Sequence, residues 1–311
     1  MLLVVSPNLA IDRIIELDSL LPRQVQRSQS VLTQPGGKGS NVARVFRQLG
    51  GEVALLGFAG RLDADCIREP LETAGVQVNL VEGYDGGSRV CTIILEREPG
   101  NHPTVINEES GGVAPEAVAD FHSRLHRLLE RAKIVLVTGS LSRGLPENFY
   151  ATVIRQAVHR GIRCVFDATG STLKHGIAAR PDIIKTNLQE ITTVTGPLGC
   201  EVREIADSLR RHQNRLAPQI IATLGRDGAI LIFGDQAWHA EPPRISYTNP
   251  IGAGDAFAAG YLKALLDNTS PVEALRIATA AAASDAATRE AGIIIPTEIE
   301  SLVERIMPAR L

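Results

Sequence analysis

The chain has 311 residues, 44% of them hydrophobic and 22% charged, with a formal net charge of −3. That is enough for a large core, as one big α/β domain or two smaller ones, and it gives no reason to expect nucleic acid or an anionic membrane as a partner. With overall charge this close to neutral, an anionic substrate must be met by local positive charge.

The first apolar run, Leu2 to Val5, reads as a buried parallel strand rather than a signal peptide, because no basic segment precedes it. It runs into Ser6-Pro7-Asn8, where a dinucleotide-binding chain would carry Gly-x-Gly-x-x-Gly. That turn is absent, which argues against a nicotinamide cofactor. Residues 12–35 mix apolar and polar residues in the manner of exposed strands, with Pro22 and Pro35 as punctuation. They read as an excursion from the core.

Gly36-Gly37-Lys38-Gly39-Ser40-Asn41 then leads into a helix predicted over Val42 to Leu49. The bland reading is a tight turn with close packing. The functional one is a polyol site, with backbone N–H groups and Asn41 on hydroxyls and Lys38 on a phosphate. The spacing is not that of a Walker A loop. A strand at Val53 to Phe58, a helix at Asp65 to Ala74 and an extended segment at Val76 to Val81 follow. Residues 88–95 alternate and 103–106 return, a second hairpin-like excursion that can pair with the first. Arg89 heads its first strand; a lone strand arginine is usually solvated.

From Gly111 the βα alternation is regular. Helices are predicted at Pro115–Arg131, Pro146–Arg160 and Glu201–Arg215, and strands at Ile134–Val137, Cys164–Phe166, Ile183–Lys185 and Gln219–Ala222. Each strand is followed by polar or glycine residues: Thr138-Gly139-Ser140, Asp167, Asn187 with Glu190, and Thr223-Leu224-Gly225. In an open parallel sheet, ligands bind outside the carboxyl ends of the strands, so these are candidates by position. His122 and His126 share a helix whose charged neighbours mark a solvated face. Cys66, Cys91, Cys164 and Cys200 show no metal spacing and read as buried, reduced thiols of a cytoplasmic protein. No apolar segment approaches the ~20 residues of a membrane span.

Arg244 to Thr248 reads as an extended approach to Asn249-Pro250-Ile251-Gly252-Ala253-Gly254-Asp255, with a helix from Ala256 to Leu266 behind it. A Gly-Ala-Gly turn opening a helix offers free N–H groups to an anion. Asp255 is either a helix cap or the carboxylate that accepts a hydroxyl proton during phosphoryl transfer. Pro271 to Ala287, rich in alanine, is helical by propensity, and its small residues suit packing on a helix or a flat ligand.

Together, Pro-Gly-Gly-Lys-Gly-Ser-Asn-Val-Ala-Arg at 35–44 and Gly-Ala-Gly-Asp at 252–255 resemble the two signatures of the PfkB branch of the ribokinase-like carbohydrate kinases. Asn8-Leu9-Ala10-Ile11-Asp12, Gly139-Ser140-Leu141, Lys185-Thr186-Asn187-x-x-Glu190 and Thr223-Leu224-Gly225-x-Asp227-Gly228 match further landmarks in order. Lys38 and Ser88-Arg89-Val90 are most similar to the phosphosugar group, which holds 1-phosphofructokinases, tagatose-6-phosphate kinases and minor 6-phosphofructokinases. The resemblance implies a doubly wound, mostly parallel α/β sheet flanked by helices, with a small β-sheet lid. Residues 1–11, 36–85 and 109–311 would form the nucleotide- and sugar-binding core, and 12–35 and 86–108 the lid, which could also carry a homodimer contact.

The resemblance further implies ATP, Mg²⁺ and a small-molecule phosphosugar. Asp255 would be the general base, with Gly252, Ala253 and Gly254 as the anion hole. Asp12, Gly36, Gly37, Asn41 and Ser140 would meet the sugar, and Lys38 and Arg89 its phosphate. Lys185, Asn187, Thr223, Gly225, Gly228 and Gly254 would meet the nucleotide, and Glu190 would order Mg²⁺ through water. The chain departs from the pattern at Pro250 (for Thr), Ser142-Arg143 (for Pro-Pro), Thr186 (for Pro), and Arg23 and Gln26 (for Gly and Asn). Where some members carry a second lid arginine, His102 or Thr104 stands nearest. The rival readings are a kinase of an unphosphorylated sugar or nucleoside, and a non-catalytic ligand sensor.

Overall fold

The computed structural model describes residues 1–97 and 103–311; His102 lies outside them. Strand β1 (Leu2–Asn8) continues almost directly into β2 (Ala10–Leu17), and β3 (Ser30–Gly36) leads into helix α1 (Lys38–Gln48). Then come β4 (Val53–Gly60), α2 (Ala64–Thr73), β5 (Gln77–Tyr84), β6 (Arg89–Glu96) and β7 (Thr104–Asn107). Next are α3 (Pro115–Leu129), β8 (Ile134–Thr138), α4 (Phe149–His159), β9 (Arg163–Asp167), α5 (Gly170–Ile177), β10 (Ile183–Asn187) and α6 (Leu188–Thr195). The chain closes through α7 (Val202–Leu216), β11 (Gln219–Thr223), β12 (Ala229–Phe233), β13 (Gln236–Ala240), α8 (Ala253–Leu266), α9 (Pro271–Ala286), α10 (Ile299–Glu304) and β14 (Ala309–Arg310).

Among the described residues these strands form two sheets. The larger runs β14-β13-β12-β11-β10-β9-β8-β1-β4-β5, and the smaller β3-β2-β6-β7. From β5 to β11 the large sheet is parallel, and β12, β13 and β14 extend it antiparallel. The chain first winds outward from β1 to β4 and β5, then restarts at β8 and winds the other way. The carboxyl ends of β1 and β8 therefore flank the point where the order reverses, which is where an open α/β sheet leaves a crevice.

Period-two alternation sorts the strand side chains onto two faces. Val4, Leu136, Val165 and Ile183 join one core cluster with α1, α8 and α9. Leu3, Val5, Val135, Val137 and Phe166 join another with α3 and α4. Two residues beyond the first set stand Ser6, Thr138, Asp167 and Lys185, all buried, on the α1/α8 side and at neighbouring register. A polar row thus caps the apolar rows at the carboxyl edge.

The hairpin β12–β13 went unread in the sequence, although Gly234-Asp235 between two apolar runs is a turn signal. Residues 244–248, expected to be extended, form irregular coil. Of the four cysteines expected to be buried, Cys91 and Cys164 are, whereas Cys66 and Cys200 are exposed. Helix α4 begins at Phe149 rather than Pro146, because Phe149 N–H turns back onto Pro146 O in a preceding turn.

The small sheet carries Ile14, Ile93 and Leu95 on one face, and this cluster packs against Ile251. Asp12 and Cys91, paired across β2 and β6, lie on the same face by alternation. The inner face of the small sheet thus rests on the residue next to Gly252.

Tyr150 of α4 is fully buried, and its hydroxyl reaches the carbonyls of Thr138, Gly139 and Ser140 at 2.9–3.2 Å. It anchors the loop that ends β8. Tyr150→Phe leaves those acceptors without their buried donor and is expected to lower the unfolding free energy by about 1–3 kcal/mol, read from urea denaturation; an unchanged midpoint would deny the anchor.

Candidate active site

Two helices aim their N-termini at the crevice. Helix α1 begins after Gly37 (φ 83°) and α8 after Gly252 (φ 97°), and neither cap residue supplies a side-chain hydrogen bond. In both cases the positive φ selects glycine and turns the chain sharply into the helix. The sequence placed these starts later, at Val42 and Ala256. The structure moves them, so that Lys38 and Asn41 lie in the first turn of α1 and Asp255 in the first turn of α8.

The charges meet at Asp167. Its two oxygens receive Lys38 Nζ and Lys185 Nζ, each at 3.0 Å. Burial alone would push the Asp167 carboxyl up, but the ammonium groups of Lys185 and Lys38 outweigh it and hold the group below the usual range. Lys38 is also 3.5 Å from Glu190 Oε1. Burial opposes its charge too, and the carboxylates of Asp167, Glu190 and Asp255 overcome that and raise its pKa. On the α8 side, a Cβ on Gly254 would lie 3.3 Å from Lys185 Nζ. Two ammonium groups and a helix N-terminus therefore share one small volume, which suits a multiply charged anion.

Asp255 lies at the edge of that volume, 7% exposed, and its Oδ2 accepts from Asn41 Nδ2 at 2.9 Å. Burial pushes its pKa up to about 6, against the pull of Lys38 and Lys185. In the turn before it, Ala253 N–H points back to Pro250 O at 3.3 Å.

A second polar cluster forms at the end of β1 and the rim of the small sheet. Asp12 is buried, its pKa pushed up to about 6 by desolvation against Arg44 and Arg89, with hydrogen bonds from the Cys91 thiol and Gly37 N–H. A side chain on Gly36 would collide with Asp12 Oδ1, at 1.9 Å. Among the described residues Arg89 donates only to Asn8 O and Cys91 Sγ, both at 3.3 Å, and its Nε has no partner. Ser140 is exposed at the crevice, and its Oγ accepts from Asn8 Nδ2 at 2.9 Å.

The third part is a cavity of about 560 Å³ between β10, β11 and helices α8 and α9. Asn187, Thr223, Gly225, Gly228 and Gly254 all line it, as do Pro250 and Phe257. Ala282, Ala283 and Ala286 of α9 line it as well. Asn187 also caps α6, its side chain accepting from Glu190 N–H at 2.8 Å while Glu190 Oε2 accepts from Asn187 N–H at 2.9 Å.

That reciprocal cap fixes Glu190 so that Oε1 alone is left toward Lys38. Among the described residues no cluster of three His, Cys, Asp or Glu could hold a metal. One fixed carboxylate beside an anion site fits Mg²⁺, which keeps water and phosphate ligands rather than a protein cage.

The sequence-derived candidates thus fall into three neighbouring groups, with one displacement. Lys38 was expected beside Arg89, whereas its ammonium lies between Asp167 and Glu190. Among the departures, Arg143 is exposed and faces Glu109 at 3.9 Å, while Gln26 closes the 19–26 loop on Ser19 O. The sequence reading did not single out Arg44, Gln34 or Asp285, all buried. Arg44 follows Asn41 by one helical turn, a usable signal. An acid inside an alanine-rich helix gives none.

Residues 2–298 match the family described as pfkB family carbohydrate kinase. The chain belongs to that family. This pfkB family kinase also superposes on solved structures at low identity. One is phosphofructokinase-2 from Escherichia coli in complex with substrates and products, at a TM-score of 0.90 with 20% identity over 98% of each chain. Another is a Thermotoga maritima protein described as a possible 1-phosphofructokinase, at 0.89 and 20% over 100% of this chain and 99% of that one. A third is Arabidopsis thaliana ribokinase complexed with ribose and ATP, at 0.75 and 21% over 97% and 98%. The ribokinase-like fold and a sugar phosphotransferase activity follow. No helix of the described residues is long and apolar enough to cross a membrane.

Asp167→Ala strands Lys185, whose side chain is 6% exposed, without its counter-charge. Breaking such a buried pair is expected to cost about 3–5 kcal/mol, measured by urea unfolding. Adding Lys185→Met should recover most of that loss, and no recovery would assign the cost to something other than the stranded charge.

Proposed function

We propose that this kinase transfers the γ-phosphoryl group of ATP to the primary hydroxyl of a ketohexose monophosphate, as a 1-phosphofructokinase or tagatose-6-phosphate kinase does. The observation that carries the acceptor class is Arg89: a half-buried guanidinium with two long contacts and an unpartnered Nε. A cation held so loosely is under-satisfied, and a phosphate, with its bidentate fit to arginine, completes it.

In this reading Asp12, Gly36, Gly37, Asn41 and Ser140 hold the sugar with its primary hydroxyl toward Asp255. Asp255 accepts the hydroxyl proton as the oxygen attacks phosphorus. The transferring phosphoryl carries its charge on three oxygens, so the main work is positioning and charge stabilisation. The N–H groups of Gly252 and Gly254 face that charge, and Lys38 and Lys185 share it; Ala253, expected to join them, has its N–H turned back to Pro250 O instead. The position of Lys38 at Asp167 favours this over contact with the sugar's own phosphate. The ATP phosphates lie along Asn187, Thr223, Gly225 and Gly228 with the base in the apolar cavity. Glu190 would hold the water shell of Mg²⁺, which would supply positive charge to the ATP phosphates.

The small sheet acts as a lid hinged at Gly36-Gly37, spanning 12–35 and 86–108. Its outward residues Val31 and Ile106, 46% and 57% exposed, suit contact with a second copy. Because Lys38 is engaged elsewhere, Arg89 alone reads the sugar phosphate. That observation keeps one rival in view, a kinase of an unphosphorylated sugar or nucleoside.

ADP release with ATP and Mg²⁺ is to be measured against fructose 1-phosphate, tagatose 6-phosphate, fructose 6-phosphate, fructose, ribose and adenosine. Turnover confined to sugar phosphates is expected, with Arg89→Ala raising KM for them by about 10–100-fold, the scale of a charge-assisted contact. Turnover of a neutral acceptor alone would overturn the phosphate reading, and silence with every compound would favour a non-catalytic sensor.

Asp255 must be ionised to accept a proton, and its pKa stands at about 6. The rate at saturating substrate should therefore hold above that pH and fall on the acid side. Asp255→Asn should cost about 10²–10⁴ in kcat; near-normal turnover in that variant would remove Asp255 from the chemistry.

A further inference from the structure

Arg44 is 7% exposed and forms no salt bridge among the described residues, an expensive place for a guanidinium. Its donors go instead to neutral oxygens: Gln34 Oε1 at 3.2 Å, Asn41 Oδ1 at 3.1 Å and the carbonyl of Ala291. Its Nε has no partner. Stability alone does not account for such a residue. What it touches does.

The amide of Asn41 sits between Arg44 and Asp255. An amide can present either its oxygen or its NH₂ group to a neighbour. Arginine has no acceptor, so the Asn41 oxygen must face Arg44. The NH₂ group is then committed to Asp255, at 2.9 Å. The reverse orientation would set an oxygen against the carboxylate and N–H against the guanidinium, two repulsions at once.

Arg44 is held firmly enough to impose this choice. Gln34 Nε2 donates to the same Ala291 carbonyl at 3.2 Å. A Cβ on Gly292 would lie 2.7 Å from Asn41 Cα and 3.0 Å from the Arg44 guanidinium, so the 291–292 loop closes against both. Gln34 belongs to β3 of the small sheet and pairs with Asp12.

We propose that Arg44 is a positioning residue for phosphoryl transfer: through Asn41 it keeps one oxygen of Asp255 hydrogen-bonded and leaves the other for the acceptor hydroxyl. Its bond to Gln34 makes that arrangement depend on how the small sheet is seated. The inference rests on Asp255 as the base.

Several charges face these groups. Lys38 from α1 and Lys185 from β10 favour ionised Asp255, while Asp167 from β9 opposes it. Asp285 of α9 also feels Asp255 and Arg44. Asp12 of β2, Glu290 and Asp285 face Arg44 itself. Removing Arg44 withdraws one positive charge from this set and frees the Asn41 amide to turn, and both changes favour protonated Asp255.

The test compares Arg44→Met and Arg44→Lys, in the native chain and with Asn41→Ala, by the pH profile of kcat on the sugar acceptor that the panel identifies. Arg44→Met should lower kcat by about 10–100-fold, the scale of a misplaced reacting group, leave KM for ATP unchanged, and move the acid limb up by about one pH unit. Arg44→Lys, which keeps the charge and one donor, should show a smaller shift in the same direction, and it carries the test if the methionine variant does not fold. With Asn41→Ala present, replacing Arg44 should move the limb no further.

An unmoved acid limb in a folded Arg44 variant, or losses from Arg44 and Asn41 that simply multiply, would overturn the proposal. Asp255→Asn is assayed alongside. If that variant keeps near-normal turnover, the base assignment falls and the proposal with it; if it is inactive while the limb stays put, only the role of Arg44 falls.

Discussion

The site depends on one buried carboxylate holding two lysines. Asp167 is inaccessible to solvent, as is most of Lys185, so each ion would be costly alone. Together they fix positive charge at the carboxyl edge of the sheet, where β9 and β10 run side by side. The placement follows from the strands. Val165 and Ile183 point into the core, and two residues on, the same face supplies Asp167 and Lys185. An apolar strand one residue longer would break the pattern, because the next side chain points to the opposite face.

That fixed charge explains how Asp255 can be buried without being driven fully to its neutral form. Desolvation alone drives a carboxyl toward its neutral form. Lys38 and Lys185 resist this, and Asn41 adds a donor, so the group settles near 6 rather than far above it. Asp285 has no such compensation and stays well above the ordinary range, with burial the largest cause. The contrast between these two acids is one of surroundings. Asp255 faces two ammonium groups; Asp285 has two backbone N–H groups, Arg44 and another carboxylate.

Much of this was legible in the sequence. Apolar runs ending in polar residues predicted both the parallel strands and the polar row at their carboxyl edge. Gly36-Gly37 and Gly252-Ala253-Gly254 marked the two helix starts, although not their first residues, because a single glycine cap does not show how much of the following stretch is already helical. Lys38, Lys185, Glu190 and Asp255, drawn from separate motifs, stand around one small volume. What was not legible is which charge answers which. Lys38 was assigned to the sugar's phosphate from its neighbours in sequence; in space it lies across the crevice on Asp167, a partner 129 residues away. Arg44 looked like one more helix residue until its partners Gln34, Asn41 and Ala291 were in place. Pairings of that kind are set by tertiary packing, which spacing along one chain does not encode.

The small sheet also contributes side chains of its own to the crevice. It supplies Asp12, Arg89 and Cys91 on its inner face, so part of the proposed sugar pocket belongs to it. The apolar cluster of Ile14, Ile93 and Leu95 rests on Ile251, the residue before the Gly252 cap. Gln34, at the end of β3, shares the Ala291 carbonyl with Arg44. The sheet is therefore connected to the α8 N-terminus twice, once by packing through Ile251 and once by hydrogen bonds through Arg44 and Asn41. A shift of this sheet would disturb the sugar contacts, the turn and the orientation of Asp255 together. Binding energy gained at Arg89, remote from the reacting hydroxyl, can in this way be spent on aligning the groups around it, which is how contacts distant from the chemistry raise kcat.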